Sequence, residues 1–444
     1  MEQVQCIMGM GDTGLSCLRF LRALEKPCCI MDSRANPPGL QTILDEFPEV
    51  PYALGGWRHD WLLKAGRIIV SPGIALTEPC LREAEEADVP ICGDIEVFAQ
   101  YAKAPIIGIT GTNGKTTVTS LTGELLAAAG IRVAVGGNLG PPALELLTED
   151  APEVYVLELS SFQLHSTVSL HCQAATILNC SPDHLDWHPS FEDYITAKKS
   201  IYRRCPNKIC ARSEANTWPT NRQGMITYGD DAPESTHDFG LIEHKGAMWL
   251  AQGDHPFLPL SDLKLNGPCP AINALAACAL ASIFDVSIAV MAQVLRSFVG
   301  LPHRCEKVVN HGGVDWYNDS KGTNVGATLA AVGHLADKYS DMILLMGGVG
   351  KDADFTSMQP LLKDKVRHVV LFGQDGLAIQ EALGDALSSE YVSTLSEAVQ
   401  RACVLVRSGE AVLFSPSCSS FDAFENFMHR GTVYKSLVQD LVCN

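Results

Sequence analysis

The residues best suited to chemistry are Lys115 and Thr116, near the end of the run Gly108-Ile-Thr-Gly-Thr-Asn-Gly-Lys-Thr-Thr117. An apolar segment containing Ile106, Ile107 and Ile109 meets a glycine-rich turn, and residues 118–129 beyond it are good helix formers. Strand, turn and helix in that order make a phosphate loop. Gly111 and Gly114 let successive backbone N–H groups face one anion, and the helix adds its positive N-terminal end. Lys115 supplies a point charge, and the Thr116 hydroxyl is placed to ligate Mg2+. The spacing departs from the common G-x-x-x-x-G-K-[ST] pattern, because Gly108 lies further back than its first glycine.

Other chemistry lies downstream. Glu158 closes an apolar strand, where a carboxylate is costly unless paired or bound to a cation. Beside a phosphate loop, Mg2+ suits it. His184 falls in the loop after the next strand, at the end where α/β ligand sites form. Ser190-Phe-Glu-Asp193 reads as a helix start. On that helix Phe191, Tyr194, Ile195, Ile201 and Tyr202 define an apolar face, and Lys198 falls on it. Lys199 is turned about 100° away. A lysine on a buried face must snorkel, pair or be modified. Three later strand ends carry polar groups: Asn318-Asp-Ser-Lys-Gly-Thr-Asn324, Gly347-Gly-Val-Gly-Lys351, and Ser415 through Phe427. Together they suit a crevice for a small dianion.

The elements that must position these groups follow from periodicity. Strands are expected at residues 4–8, 28–31 and 67–70, with a helix at 15–24 and the unit closing near 91–93. Gly9-Met-Gly11-Asp-Thr-Gly14 followed by Asp32 fits G-x-G-x-x-G with an acid after the second strand. Only about one mononucleotide-binding half fits before residue 93, so a single nucleotide suits it better than NAD. Further strands are expected at 133–136, 154–159 and 174–178, and a small antiparallel addition near 237–252. An Ala-rich helix is expected at 273–284. After a boundary at 300–304 come strands at 313–318, 342–346, 368–372 and 411–414, and a final helix at 432–441. The fold class is α/β in three domains: a Rossmann-like domain (1–93), a central P-loop ATPase-type domain (94–299) and a doubly wound C-terminal domain (300–444).

Composition sets bounds. The chain has 444 residues, 46% apolar and 19% charged, enough for two or three domains. A net charge of −18 argues against a nucleic-acid-binding surface, so any anionic ligand must be held by local basic and backbone groups. No signal peptide or membrane span is expected. Sixteen scattered cysteines without C-x-x-C fit reduced, mostly buried thiols in a cytoplasmic protein.

The loop at 108–117 resembles the ATP loop of the Mur ligases and folylpolyglutamate synthases. Leu159-Ser-Ser-Phe-Gln-Leu164, Asn318 through Asn324, and Ser420 through Arg430-Gly431 extend the resemblance to Mur ligases along the whole chain. It implies ATP-dependent addition of D-glutamate to UDP-MurNAc-L-Ala through an acyl phosphate, by a monomer. It implies catalytic roles for Lys115, Glu158, His184, Lys198 and Lys321. ATP would meet Gly111, Thr112, Asn113, Gly114, Lys115, Thr116, Thr117, Asn273, Arg304 and Asp319. Two Mg2+ ions would be held by Thr116, Glu158, His184 and a carbamate on Lys198. UDP-MurNAc-L-Ala would meet Asp12, Thr13, Asp32, Ser33, Arg34, Gly73 and Asn138; D-glutamate would meet Thr323, Lys351, Ser420 and Phe427. Cys269-Pro270 stand where the family commonly has His-Asn. Alternatives are a sister ligase with another acceptor amino acid or a folate, against which the Ser-Phe-Gln and Asp-Ser-Lys stretches argue. A nicotinamide oxidoreductase would leave the phosphate loop without purpose.

Overall fold

Continuous apolar runs buried on both faces make the strands of this chain, the pattern of a covered parallel sheet. The computed structural model describes residues 3–184, 187–336, 338–350 and 353–442. Its first sheet holds β1 (Gln5–Met8), β2 (Cys28–Asp32), β3 (Tyr52–Leu54), β4 (Arg67–Val70) and β5 (Ile91–Gly93). All pair in parallel, in the order β3-β2-β1-β4-β5. Side chains alternate: Ile7, Ile30 and Ile69 enter one core, and Cys6, Met8, Ile68 and Val70 another. The order reverses at β1, which opens a crevice beyond the carboxyl ends of β1 and β4. Arg67–Val70 is the fourth strand, not the third. The strand before it, Tyr52–Leu54, is three residues at a sheet edge with Tyr52 exposed, too short to leave a period.

The second sheet is larger. It contains β6 (Ile106–Thr110), β7 (Val133–Gly137), β8 (Val154–Glu158), β9 (Ala174–Ile177), β10 (Asn207–Ala211) and β11 (Met225–Tyr228). An antiparallel meander adds β12 (Phe239–His244), β13 (Ala247–Gln252) and β14 (His255–Pro259). The order β14-β13-β12-β11-β10-β9-β6-β8-β7 places β6 between β8 and β9, so the loops after these three strands share one edge. The third sheet comprises β15 (Glu306–His311), β16 (Val314–Asn318), β17 (Met342–Gly347), β18 (His368–Phe372), β19 (Ser389–Tyr391) and β20 (Ala411–Phe414). Its order is β15-β16-β20-β17-β18-β19, with only β15 antiparallel.

Three helices begin earlier than their residues suggest. The first spans Asp12–Ala23; it takes in Gly14, where a Cβ would lie 1.9 Å from the Gly9 carbonyl oxygen. The Ala-rich helix is Pro270–Ser282, with proline in the first position, where its missing N–H costs nothing. The last is Phe427–Val442, running through Gly431. That glycine looks like a break, but a Cβ there would meet His303 Nδ1 at 2.3 Å, so it serves packing.

Contacts divide the chain into two compact units: residues 1–260 with 273–294, and residues 261–272 with 295–444. In the first, the Asp94–Tyr101 helix joins the two sheets. Gln163 Nε2 donates to Asp94 Oδ2 (3.1 Å), and the Val168 and Ser169 amides donate to Glu96 (2.7 and 2.8 Å). Among the described residues Asp94 Oδ1 is buried without a hydrogen-bond partner. Burial raises this carboxyl to about 6, despite the Gln163 bond. An unfolded aspartate titrates near 4, so the native chain holds the extra proton between those values. Stability therefore falls as pH rises through that window, and the cost, up to about 3 kcal/mol, is fully present above it. Asp94→Asn keeps an acceptor for Gln163 and buries no charge. Its denaturation free energy relative to the parent is expected to improve as pH is raised from 4 to 7; a pH-independent difference contradicts this.

Candidate active site

The phosphate loop is a strained backbone held from outside. Gly111 (φ +152°) and Gly114 (φ +84°) take positive φ, and Gly114 caps the Lys115–Ala128 helix. Asn179, after β9, clamps the loop: its Oδ1 accepts from the Asn113 amide (2.8 Å) and its Nδ2 donates to the Asn113 carbonyl (3.0 Å). Thr112 Oγ1 accepts from the Ser181 amide at 3.1 Å and lies 3.0 Å from the Tyr194 hydroxyl. A Cβ on Gly114 would fall 2.8 Å from Asn273 Oδ1, so Asn273 lies beside the turn. Thr116 and Thr117 begin the helix.

Two lysines converge here. Lys115 Nζ donates to the carbonyls of Gly111 and Thr112, both at 2.8 Å. Lys198 Nζ donates to the same Gly111 carbonyl at 3.0 Å and to Thr110 Oγ1 at 3.3 Å, 4.5 Å from the centre of the Tyr194 ring. Ser190 caps the Phe191–Lys199 helix by accepting from the Asp193 amide at 3.1 Å. Lys198 faces inward and is 2% exposed, whereas Lys199 is half-buried. Burial, then the Lys115 charge, lowers the Lys198 ammonium to about 7.

Glu158 ends β8 beside them. Asn138 Nδ2 donates to its Oε1 at 2.9 Å, and Oε2 is buried without a partner among the described residues. His184 takes a left-handed backbone (φ +55°) and packs edge-on against Phe162, centroids 4.8 Å apart. Behind it His188 lies 2.9 Å from Ser161 Oγ, and burial lowers its imidazole to about 4.

The residues expected to meet the UDP-sugar lie on the first sheet, with one exception. Asp12 and Thr13 occupy the first helical turn, and Gly73 is exposed after β4. Asp32 Oδ2 accepts from the Met10 amide at 2.8 Å, tying β2 to the glycine loop, and Arg34 clamps both carboxylate oxygens at 2.7–2.8 Å. Burial works against the Asp32 charge, but Arg34 and the Met10 amide outweigh it and hold the carboxyl at about 2. Ser33 is exposed beside it. Asn138 is the exception, joined to Glu158 after β7.

The second unit gathers its own set at the carboxyl ends of β16, β17 and β20. Lys321 Nζ sits 4.1 Å above the Phe427 ring, and the Thr323 amide donates to the Lys321 carbonyl at 2.8 Å. Ser420 is buried and accepts at its carbonyl from the Phe424 amide. Asp319 accepts from Ser415 Oγ at 2.7 Å and the Cys305 amide at 3.1 Å; burial raises its carboxyl to about 7. Arg304 lies at the turn before β15. Lys351 lies outside the described residues. Arg430 braces these loops from within: it donates to the Ser320 carbonyl and hydroxyl and to the Cys418 carbonyl at 2.9–3.1 Å.

Asn179, Tyr194, His188 and Arg430 were not singled out as functional from sequence, because each acts on partners far along the chain. Tyr194 left a signal as the apolar-face residue one turn before Lys198, and Arg430 only as part of the stretch that resembles the Mur ligases.

For a metal, the unpartnered Glu158 oxygen beside a phosphate loop, with the Thr116 hydroxyl opening the helix, is a hard oxygen donor set that fits Mg2+. An ammonium on Lys198 does not fit a cation.

Comparison with known proteins places the whole chain in one family. Family models match three successive stretches: "Mur ligase MurD-like, N-terminal domain" at residues 3–93, "Mur ligase middle domain" at 109–281, and "Mur ligase, glutamate ligase domain" at 303–418. A protein of Methylobacillus flagellatus named UDP-N-acetylmuramoylalanine--D-glutamate ligase is 44% identical over 98% of this chain and 96% of its own. One of the same name from Pseudomonas savastanoi pv. phaseolicola is 43% identical over 99% and 98%. Among solved structures, the UDP-N-acetylmuramate-alanine ligase MurC of Thermotoga maritima aligns over 99% of both chains at 16% identity, with a TM-score of 0.62. A pseudomurein peptide ligase type C from Methanothermus fervidus aligns over 99% of both at 16%, TM-score 0.59. Those two likenesses concern the fold; the family models and full-length relatives go further, and the chain belongs to the Mur ligase family.

Proposed function

We propose that this chain is an ATP-dependent ligase that joins D-glutamate to UDP-N-acetylmuramoyl-L-alanine in peptidoglycan precursor synthesis. Full-length relatives of that name carry the reading, and the two-lysine phosphate loop beside Glu158 supports it. In the proposed division of labour, residues 1–93 bind the UDP-sugar, 94–299 bind ATP and 300–444 bind D-glutamate, in a cytoplasmic monomer. No helix among the described residues is long and apolar enough to cross a membrane.

The reaction needs a substrate carboxylate to attack the γ-phosphorus, giving an acyl phosphate and ADP. The D-glutamate amine then attacks the acyl carbon, and phosphate leaves from the tetrahedral intermediate. Catalysis of phosphoryl transfer is mostly positioning and charge stabilisation. The amides of residues 114–117, at the start of the helix, cradle the triphosphate, and Lys115 turns from its loop carbonyls to the transferring phosphoryl group. Asn273, Arg304 and Asp319 are proposed nucleotide contacts. Asp12, Thr13, Asp32, Ser33, Arg34, Gly73 and Asn138 are proposed for the UDP-sugar. Thr323, Lys351, Ser420 and Phe427 are proposed for the two D-glutamate carboxylates, with Lys321 near the phosphoryl group. Thr116 and Glu158 would hold one Mg2+; His184 and Lys198 would hold a second. Bound Mg2+ offsets the repulsion between carboxylate and triphosphate.

Lys198 serves as a ligand only when anionic. Its buried amine, lowered to about 7, is neutral often enough to add CO2, forming an N–C bond and releasing a proton, which leaves a carbamate. Burial of the residue and its cationic neighbour Lys115 support this step.

Phosphate release is expected only with ATP, UDP-MurNAc-L-Ala and D-glutamate together; coupled turnover with L-lysine or meso-diaminopimelate instead contradicts the assignment. Lys115→Ala should cost kcat on the order of 10²-fold or more, the usual effect of removing a preorganised charge stabiliser. Lys198→Ala should fold yet be nearly inactive, and Lys199→Ala should keep most activity. A short-chain carboxylate added to the assay should partly restore Lys198→Ala but not Lys115→Ala. Normal turnover by folded Lys198→Ala, without added carboxylate, rules out the carbamate.

A further inference from the structure

His188 is 1% exposed and is sealed from any ligand, yet it touches three segments that converge on the proposed reaction centre. Its Nε2 shares a 2.9 Å hydrogen bond with Ser161 Oγ, at the start of the short Ser161–His165 helix that follows Glu158. Its ring lies parallel to that of Phe162 (centroids 5.7 Å, interplanar 10°), and Phe162 also packs against the edge of His184 and against Trp187, each at 4.8 Å. Against Tyr194 it packs edge-on at 5.2 Å. Tyr194 in turn reaches Thr112 of the phosphate loop and flanks Lys198. The His188 amide donates to the His184 carbonyl at 2.9 Å, fixing the distance between the two histidines along the chain.

We propose that His188 is a positioning residue for the ligation reaction. Its bond to Ser161 anchors the start of the Ser161–His165 helix from outside, so that Phe162 presents His184 at a set angle. Its ring backs Tyr194, so that Thr112 and Lys198 keep their places across the loop. Phe162 or Tyr194 alone would leave one side of this arrangement free to tilt, because an aromatic contact constrains distance more than rotation, whereas a hydrogen bond fixes direction. An ångström of misplacement at a phosphoryl-transfer centre is enough to reduce rate without loss of binding.

The inference rests on His184 and Lys198 acting at the reaction centre, and the experiment separates the two claims. His188→Phe keeps a ring over Phe162 and loses the bond to Ser161. Ser161→Ala loses the same bond from the other side. His188→Gln offers an amide to Ser161 without the ring. Steady-state kcat and KM for each of the three substrates are measured, with a melting curve for every variant. His188→Phe and Ser161→Ala should each lower kcat on the order of tenfold. KM should stay within about twofold for all substrates, the signature of an interaction felt in the transition state. The double variant should be no slower than either single, since both remove one bond. His188→Gln should recover only part of the lost kcat, because it keeps the bond to Ser161 but loses the ring behind Tyr194. Normal kcat in folded His188→Phe or in Ser161→Ala overturns the proposal, as do additive losses in the double variant or losses that follow the melting temperature. If His188→Phe does not fold, Ser161→Ala and His188→Gln decide in the same way. His184→Ala is run beside them: inactive His184→Ala with normal His188 and Ser161 variants defeats this inference alone, whereas normal His184→Ala defeats the reading of the site beneath it.

Discussion

One backbone oxygen, the Gly111 carbonyl, accepts hydrogen bonds from both Lys115 and Lys198. Two ammonium groups on one acceptor repel each other, and the burial of Lys198 limits how far solvent screens them. The conflict is eased because burial, then the Lys115 charge, lowers the proton affinity of the more deeply buried partner, Lys198. Much of the central segment is arranged around that choice. The Ser190 cap fixes where the helix starts, and the helical repeat turns Lys198 inward and Lys199 away. Tyr194, one turn earlier, spans from the lysine to Thr112. Asn179 holds the loop so that Gly111 presents its carbonyl to both amines.

The sheet supplies the rest. Because β6 lies between β8 and β9, the loop, Glu158 and the His184 segment emerge at one edge although they are far apart in sequence. A chain with net charge −18 must bind anions through such local groups. The same principle is used in the second unit, where β16, β20 and β17 lie side by side and deliver three polar loops to one edge. There the brace is a buried arginine, Arg430, whose guanidinium satisfies carbonyls from two loops. Burial lowers it to about 10, still far above neutrality, so it remains charged.

Sequence patterns were most informative where one physical cause dominates. Arg67–Val70, His368–Phe372 and Ala411–Phe414 end at the residues expected, because buried parallel strands are uninterrupted apolar runs between polar turns. The inward face of Lys198 followed from helical spacing alone. Short edge strands such as Tyr52–Leu54 and Ser389–Tyr391 left no period. The last helix runs through Gly431, ahead of its expected start at 432, because that glycine serves packing against His303. The supports were illegible for a different reason: Arg430 meets Ser320, and Asn179 meets Asn113, across long stretches of chain that no local spacing encodes. The loop was readable as a motif, while what keeps it in shape was not.

The central claim, that the loop's second lysine is held neutral so that it can become an anion, is open to direct observation. The protein is equilibrated with 13C-labelled bicarbonate and its carbamate carbon is observed by NMR. The account predicts one protein-bound carbamate resonance, present in the parent and in Lys199→Ala and missing from Lys198→Ala. A fully active parent without that resonance, or one in which the signal survives Lys198→Ala, would contradict it.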